Sequence, residues 1–274
     1  MRITPIRDGV AARGLEGVEP AEVYLDPRPM TCKVAAAGIH RAPDLGSEQM
    51  DQLLLGEVFD VIEDEAGGFV WGQARRDGYV GFVLAGALGL PGAAPTHRIS
   101  ALRTYAFAEA SIKTRAAGPY SMNSLVAIEA KEARLAKVAG GGWIPKEHLS
   151  PLGVFEEDWA AVAERFLGAP YLWGGRESLG LDCSGLVQQA LFACGRACPR
   201  DADQQAQLGV GIARAEFGRG DLVCWNGHIG MGLDNARIVH ANGFHMAVAV
   251  EPLDTAIARI DAAGVGQPTA FRRP

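Results

Sequence analysis

The spacing of apolar and polar residues divides the chain into a β-rich first half and a mixed second half. Between residues 31 and 90 the apolar runs are short, as in "QLLLGEVFDVIEDE". Two further runs, Phe69 to Gln73 and Tyr79 to Leu84, flank the pair Asp77-Gly78. An Asp-Gly pair between such runs is a strong signal for a β-hairpin. The pattern therefore predicts a small all-β domain over residues 31–90.

A similar unit follows after a linker. The stretch "GLPGAAPTH" has the composition of a loop, and "SLVAIEAKEARLAKVAGGGWIPKEHL" repeats the order strand, turn, strand, glycine, aromatic residue. We therefore predict a second small barrel over residues 95–150. Residues 1–30 are rich in Gly, Pro and charge without a clear period, and we expect an N-terminal arm that packs on another part of the protein.

From residue 155 the apolar spacing becomes helical and then returns to strands. "EEDWAAVAERFLG" predicts a helix that Asp158 caps and Gly168 ends. "GLDCSGLVQQALFACG" predicts a second helix with an apolar stripe from Leu186 to Cys194. "GDLVCWNGHIGMGLD", "ARIVHANG" and "HMAVAVEPL" predict consecutive antiparallel strands. Residues 155–274 should therefore form an α+β domain.

Composition narrows the class of protein. The 274 residues are 48% hydrophobic and 21% charged, as in an ordinary globular protein, and the net charge of −6 argues against a nucleic-acid partner. The start "MRITPIRDGVAARGLEG" has no apolar stretch behind its charges, and "GFVLAGALGLPGAAP" is shorter than the roughly 20 residues that span a bilayer. We expect a cytoplasmic protein without a membrane span or a cofactor; the oligomeric state stays open.

Cys183 is the first candidate catalytic residue, because it lies where the predicted second helix begins. The positive end of a helix dipole favours a thiolate and lowers the pKa of a thiol from about 8.5. His228 and His240, on predicted neighbouring strands, fit a proton-transfer residue and a residue that orients it. A buried structural cysteine and two structural histidines fit the same spacing.

Zinc is the competing chemistry. Cys194, Cys198, Cys224 and His228 form a Cys₃His set of the kind that binds zinc. Against it, Cys194 lies on the apolar stripe and Cys224 lies in the apolar run "DLVCW". Spacing alone leaves the nucleophile, the structural cysteine and the zinc ligand open.

The motifs of the second half resemble one family in order and spacing. "PYLWGG", "DCSG" at a helix start, "GDLV", "GHIG" and then "HA" resemble the NlpC-type peptidases, papain-like cysteine endopeptidases that cut bacterial cell-wall peptides. The resemblance covers residues 156 to about 255, and the two β units before it resemble bacterial SH3-like domains. It implies an α+β fold: a papain-like NlpC-type catalytic domain preceded by two small all-β SH3-like barrels, without a metal.

The resemblance also implies roles for single residues. Cys183 matches the nucleophile, His228 the general base, His240 the third, orienting residue, and Tyr171 a tyrosine that stabilises the oxyanion. Trp173, in the same "PYLWGG" stretch, is implied at the substrate site. Without the resemblance, the two aromatic residues would be taken for ordinary core residues.

The order of domains resembles the branch of the family that recycles murein peptides. It implies cleavage of the bond between γ-D-Glu and a diamino acid such as meso-diaminopimelate, with release of L-Ala-D-Glu from a peptide whose L-Ala amine is free. Asp182 and Ser184 match residues that hold the amine and the peptide, and Asp201 matches a pocket residue. Family members often have Ser after that Asp, where this chain has Ala202, so Arg200 is a candidate to compensate at the D-Glu carboxylate.

Two residues of the first β unit complete the expected substrate site. Glu57 and Tyr79 resemble residues that this branch contributes from its first SH3-like domain. A solvated strand-end charge and a core aromatic residue are the alternatives. Two other functions stay open: a papain-like amidase or acyltransferase on another substrate, and a non-catalytic module that binds the cell wall.

Overall fold

The first half of the chain, residues 2–152, is built from short strands, which pair antiparallel except for one parallel pair, Val10–Ala12 with Val23–Leu25. The computed structural model describes residues 2–274, which divide into two units, one ending at Leu152 and one spanning Gly153–Pro274. A three-stranded sheet of order β1-β2-β3 precedes a seven-stranded sheet of order β10-β4-β7-β8-β9-β5-β6. The strands are β1 Ile6–Arg7, β2 Val10–Ala12, β3 Val23–Leu25, β4 Arg28–Cys32, β5 Ala36–His40, β6 Gln49–Leu54, β7 Val58–Asp64, β8 Phe69–Ala74, β9 Val80–Leu84 and β10 Leu88–Gly89.

The hairpin predicted at Asp77-Gly78 is confirmed. β8 pairs with β9 in antiparallel register from Phe69 opposite Leu84 to Gln73 opposite Val80. Gly78 has a φ of 81°, which a glycine adopts without strain, and the Asp77 carboxylate accepts a hydrogen bond of 3.1 Å from the N–H of residue 79. Local turn chemistry therefore fixes this pair of strands.

The N-terminal arm packs on the outer face of this sheet. The guanidinium of Arg7 lies 5.0 Å from the ring centroid of Trp71 and 4.9 Å from that of Phe82, and it pairs with Glu63 at 3.0 Å. Cation–π contacts of this kind stabilise by roughly 0.5–2 kcal/mol. The arm also adds Val10, Ala12 and Leu25 to an apolar cluster with Trp71 and Phe82, so packing and a stacked cation together hold it on the sheet.

A second β region lies between residues 97 and 151, in two antiparallel sheets of order β14-β11-β18 and β13-β12-β17-β16-β15. Ile99, Ala106 and Ile144 form its buried centre. The strands are β11 His97–Ile99, β12 Arg103–Phe107, β13 Ala116–Ser121, β14 Leu125–Val126, β15 Ile128–Glu132, β16 Leu135–Val138, β17 Trp143–Pro145 and β18 Leu149–Pro151.

The second unit places helices against a six-stranded sheet of order β21-β26-β22-β23-β24-β25, which confirms the predicted run of antiparallel strands. The helices are α1 Trp159–Glu164, α2 Cys183–Ala193, α3 Ala202–Gln205 and α4 Leu253–Ala262. The strands are β19 Arg176–Glu177, β20 Gly180–Leu181, β21 Val210–Gly211, β22 Leu222–Trp225, β23 His228–Gly232, β24 Arg237–Asn242, β25 Ala247–Pro252 and β26 Ala270–Arg273. None of the helices in residues 2–274 has the length and apolar character that a membrane crossing requires.

Helix α2 differs from its predicted amphipathic form, because all eleven of its residues are buried. It packs against β23 and β24 on one side and against α1 and α3 elsewhere, so Gln188 and Gln189 are buried together with the apolar stripe. The sequence of α2 has no charged face of the kind that a surface helix exposes to solvent. A helix without such a face is typical of a core position. The nucleophile candidate thus sits at the end of a rigid central helix.

Candidate active site

The start of helix α2 holds Cys183 in a fixed position. Asp182 is the N-cap, and its carboxylate accepts a hydrogen bond of 2.8 Å from the N–H of Gly185. A Cβ at Gly185 would lie 2.3 Å from the carbonyl oxygen of Gly175, so only glycine fits there. This close approach accounts for the glycine of "DCSG". The N–H of Cys183 belongs to the first turn, whose amides have no acceptor within the helix.

A buried ion pair surrounds the residues that flank Cys183. The Asp182 carboxylate accepts hydrogen bonds from Arg200 at 3.0 and 2.6 Å, from Ser184 Oγ at 3.2 Å and from the N–H of Gly174 at 2.9 Å. Arg200, 1% exposed, also donates to Ser184 Oγ at 2.7 Å. With the bond from the α2 amide, five donors meet a carboxylate that offers about four lone-pair sites. A substrate ammonium would have to share Asp182 with Arg200, so the predicted amine-binding role stays a prediction.

The two candidate histidines lie side by side on β23 and β24. The register of these strands pairs Met231 with Val239, which places His240 diagonally across from His228 on the same face of the sheet. His228 Nε2 lies 2.9 Å from His240 Nδ1, a hydrogen bond. A Cβ at Gly230 would lie 3.5 Å from His240 Cβ and 3.2 Å from Ile238, so the glycine of "GHIG" leaves space for the second ring.

Cys183 lies next to this pair. Helix α2 packs on β23, and the N–H of Ile229, the residue after His228, hydrogen-bonds to the thiol sulfur and lowers its pKa. Because Nε2 of His228 faces His240, its Nδ1 is the ring nitrogen left to receive a proton from the thiol. The order of Cys183, His228 and His240 is the one expected of a nucleophile, a base and an orienting group, and these roles stay predictions.

Burial decides the protonation of the resting site. It raises the pKa of the Cys183 thiol to about 12, with Asp182 as the second cause, and it lowers the pKa of His228 to about 3 and of His240 to about 4. Desolvation by burial therefore opposes the effect of the first-turn amides on the Cys183 thiol, and the thiolate at the helix start stays a prediction. Burial thus favours the neutral thiol and the neutral imidazoles.

Tyr171 is placed beside the nucleophile by backbone pairing. It forms an isolated bridge with Leu181, and its N–H donates to the carbonyl of Met246 at 2.9 Å. Burial raises the pKa of its phenol, and the Cys183 and Asp182 side chains raise it further, which shows that the hydroxyl lies within electrostatic reach of both. A phenol that stays protonated at every working pH is a suitable donor for an oxyanion.

The remaining predicted residues lie in both units of the chain. Trp173 is 57% exposed. Asp201 is the N-cap of α3. Helix α3 contacts the start of α2, because the side-chain amide of Gln205 donates to the carbonyl of Ser184 at 2.9 Å. In the first unit, Tyr79 is buried in the barrel core. Glu57 there is buried, accepts from the N–H of Leu54 at 3.0 Å and pairs with Arg76 at 3.7 Å. The substrate roles of Glu57 and Tyr79 stay predictions.

Sequence reasoning missed a carboxylate behind the histidines. Glu251, on β25, accepts from His240 Nε2 at 3.1 Å and from Arg259 of α4 at 3.0 and 2.8 Å. The signal was a single charged residue in the alternating strand "AVAVEP". Arg259 lies on a different element and gave no comparable signal.

Metal binding has one candidate cluster within residues 2–274. The ligand atoms of His240, His245 and Glu251 lie within 4.8 Å of one another. Arg259 already donates to both oxygens of Glu251, and its positive charge would repel a cation there. The alternative zinc set of Cys194, Cys198, Cys224 and His228 is not among the clusters that the described residues form.

Two family models match separate parts of this chain. The model of the NlpC/P60 family matches residues 168–265, and that of the bacterial dipeptidyl-peptidase Sh3 domain matches residues 39–88. An NlpC/P60 family protein from Bacillus cereus has a similar structure, with a TM-score of 0.77 and 19% identity over 89% of this chain and 99% of the other. This likeness supports the predicted fold class.

Similar curated proteins include a γ-D-glutamyl-L-lysine dipeptidyl-peptidase of Bacillus subtilis, 34% identical over 93 residues, which are 31% of this chain and 31% of that protein. A protein of the same name from Bacillus cereus is 28% identical over 36% of this chain and 32% of its own length. Dipeptidyl-peptidase 6 of Lysinibacillus sphaericus is 26% identical over 80% of this chain and 89% of its own length. The matches to the two Bacillus proteins thus span about a third of those relatives.

Proposed function

We propose that this chain, which carries an NlpC/P60 domain preceded by a bacterial dipeptidyl-peptidase SH3 domain, is a cysteine peptidase of bacterial cell-wall peptides. The observation that supports this most is the order of groups at the candidate site. Cys183 begins α2 beside β23, and His228 of that strand is hydrogen-bonded to His240 at 2.9 Å. Nucleophile, base and orienting residue are the parts that acyl transfer from an amide requires.

The neutral resting pair defines the first step. The sulfur of Cys183 attacks the amide carbon while its proton passes to Nδ1 of His228, so that thiolate and imidazolium form together only as the bond is made. The N–H of Cys183 and the hydroxyl of Tyr171 are donors for the oxyanion. The imidazolium then gives its proton to the departing amine, which leaves a thioester on Cys183. A water molecule, deprotonated by His228, hydrolyses the thioester and restores the thiol.

The finer proposal concerns the bond that is cut. We propose cleavage between γ-D-Glu and a diamino acid, either L-Lys or meso-diaminopimelate. Two observations support it: two similar proteins are named γ-D-glutamyl-L-lysine dipeptidyl-peptidase, and the matching SH3 model is that of bacterial dipeptidyl-peptidases. The product would be L-Ala-D-Glu, released from peptides with a free L-Ala amine, as murein-peptide recycling requires. The cytoplasmic location expected from the sequence stays a prediction.

A peptide assay tests both the cysteine mechanism and the bond that is cut. The purified protein is incubated with L-Ala-γ-D-Glu-L-Lys, with the diaminopimelate analogue, and with the α-linked isomer as control, and products are identified by mass spectrometry. We expect L-Ala-D-Glu from the γ-linked peptides alone, and no product with Cys183→Ala, which removes the sulfur but keeps the helix start. Cleavage by Cys183→Ala at the rate of the unmodified protein would exclude the cysteine mechanism.

The free-amine requirement is tested with the N-acetylated tripeptide. Acetylation removes the positive charge and adds bulk, so kcat/KM should fall by at least about 100-fold if the amine is bound in a closed, acidic site. Similar rates for the free and acetylated peptides would leave the peptidase in place but overturn the dipeptide-releasing specificity.

A further inference from the structure

A buried ion pair stands behind the two histidines and touches no part of the predicted substrate site. Glu251, 6% exposed, lies between His240, which is fully buried, and Arg259. One carboxylate oxygen lies 3.1 Å from His240 Nε2, and the guanidinium of Arg259 donates to both oxygens. Burying a carboxylate is costly unless it is paired, so its position beside a catalytic candidate calls for a reason.

The hydrogen-bonding capacities of these groups leave one arrangement of protons. An ionised carboxylate only accepts hydrogen bonds, so His240 must carry its hydrogen on Nε2 and donate it to Glu251. A neutral His240 then has a lone pair on Nδ1, where it faces His228 Nε2 at 2.9 Å. His228 must therefore donate from Nε2, and its lone pair lies on Nδ1, the nitrogen left for Cys183.

Arg259 favours the ionised form of the Glu251 carboxylate. Its hydrogen bonds lower the pKa of Glu251, and its guanidinium is held by stacking 4.5 Å from the ring centroid of Phe244. The charged and titratable groups that face His240 are Glu251, Arg259, His228 and His245. Among them only Glu251 supplies a negative charge.

We propose that Glu251, held by Arg259, is a positioning residue that fixes the tautomer of His240 and through it the orientation and tautomer of His228. This inference rests on the proposed function, in which His228 takes the proton of Cys183. It adds to that function two residues, on β25 and α4, that act through His240.

The test compares Glu251→Gln with a matched variant, Asp221→Asn. Glutamine has the shape of glutamate, but its amide can donate to His240 Nε2 and so stabilise the other tautomer. Asp221 is likewise a buried carboxylate held by an arginine, with bonds of 2.8 Å from Arg273 to both oxygens, and it contacts neither histidine. Any general effect of neutralising a buried ion pair should appear in both variants.

Two readouts separate positioning from a structural role. Peptide cleavage by Glu251→Gln should lose about 10- to 100-fold in kcat with KM unchanged, while Asp221→Asn keeps kcat. Alkylation of Cys183 by iodoacetamide, followed by mass spectrometry of the Cys183 peptide, should slow in the same variant, because the thiol gives its proton to the same base. The alkylation rate needs no peptide substrate, so it tests the inference even if the proposed specificity fails.

A third variant gives the pH signature. In Arg259→Met the carboxylate loses its cation, and the pKa of Glu251 rises; below that pKa the protonated carboxyl donates to His240 and the tautomer is no longer fixed. The alkylation rate of Arg259→Met, relative to the unmodified protein, should therefore fall as the pH is lowered. Equal kcat and equal alkylation rates in Glu251→Gln and Asp221→Asn, or a constant ratio for Arg259→Met across pH, would overturn the proposal.

Discussion

Removing the guanidinium of Arg200 should destabilise the second unit far more than removing an exposed one. Arg200→Ala deletes four hydrogen bonds at once: two to Asp182, one to Ser184 Oγ at 2.7 Å and one to the carbonyl of Gly175 at 3.4 Å. The side chain is 1% exposed, so water cannot readily replace it. Asp182 would be left as a buried carboxylate without a cation.

The loss of stability in Arg200→Ala depends on the hydrogen-bond donors that Asp182 keeps. Breaking a buried ion pair by removing one partner costs about 3–5 kcal/mol. Asp182 keeps three donors, the amides of Gly174 and Gly185 and the hydroxyl of Ser184, so we expect the lower end, about 3 kcal/mol. A loss of that size lowers the unfolding temperature by about 10 °C in a unit of this size.

Urea unfolding of two matched variants is the assay. Arg165 forms an exposed pair with Glu156 at 2.6 Å in the same unit, with side chains 39% and 26% exposed, and Arg165→Ala should cost less than about 1 kcal/mol. The double variant Asp182→Asn/Arg200→Met removes both charges and keeps an N-cap, so it should be more stable than Arg200→Ala. If Arg200→Ala and Arg165→Ala unfold at the same urea concentration, the argument from the buried pair is wrong.

Three further predictions concern the reaction. Burial lowers the pKa of His228 to about 3, so the base should stay neutral in weak acid. The kcat/KM for peptide cleavage should therefore stay constant down to about pH 5. An acid limb near pH 6.5 in the pH–rate profile would contradict this. His228→Ala should lower kcat more than His240→Asn, since the first residue transfers the proton and an asparagine oxygen can still accept from His228; equal losses in two folded variants would argue against separate roles. Tyr171→Phe should lower kcat by about 100-fold with little change in KM, as expected for a lost oxyanion donor, and a change in KM alone would assign Tyr171 to substrate binding.

The sequence predicts those parts of the site that depend on local chemistry. The hairpin at Asp77-Gly78, the start of α2 at Cys183 and the strands that carry His228 and His240 all follow from turn residues, caps and period. Each depends on residues close together in the chain, where propensity and pattern carry most of the information.

What the sequence does not predict depends on burial and on contacts between distant elements. The helix position of Cys183 is visible in the sequence, but the burial that raises the pKa of its thiol is not. The Glu251–Arg259 pair joins β25 to α4, and the Asp182–Arg200 pair joins the α2 cap to a loop. No local pattern specifies either partner, since an isolated arginine in a sequence is far more often on the surface.

The two ion pairs bear on how the proposed mechanism can start from neutral groups. Asp182–Arg200 lies at the nucleophile, Glu251–Arg259 lies behind the histidines, and each pairs one negative with one positive charge. Neither pair adds a net charge next to Cys183 or His228, so the resting thiol and imidazole stay neutral. In the proposed mechanism charge separates only when the sulfur attacks, and the α2 amides and the phenol of Tyr171 then stabilise that charge without reorganising. Under the proposed mechanism, variants of Asp182–Arg200 should differ mainly in stability. Variants of Glu251–Arg259 should differ in kcat through the tautomer of His240, and variants of Tyr171 should differ in kcat through the oxyanion.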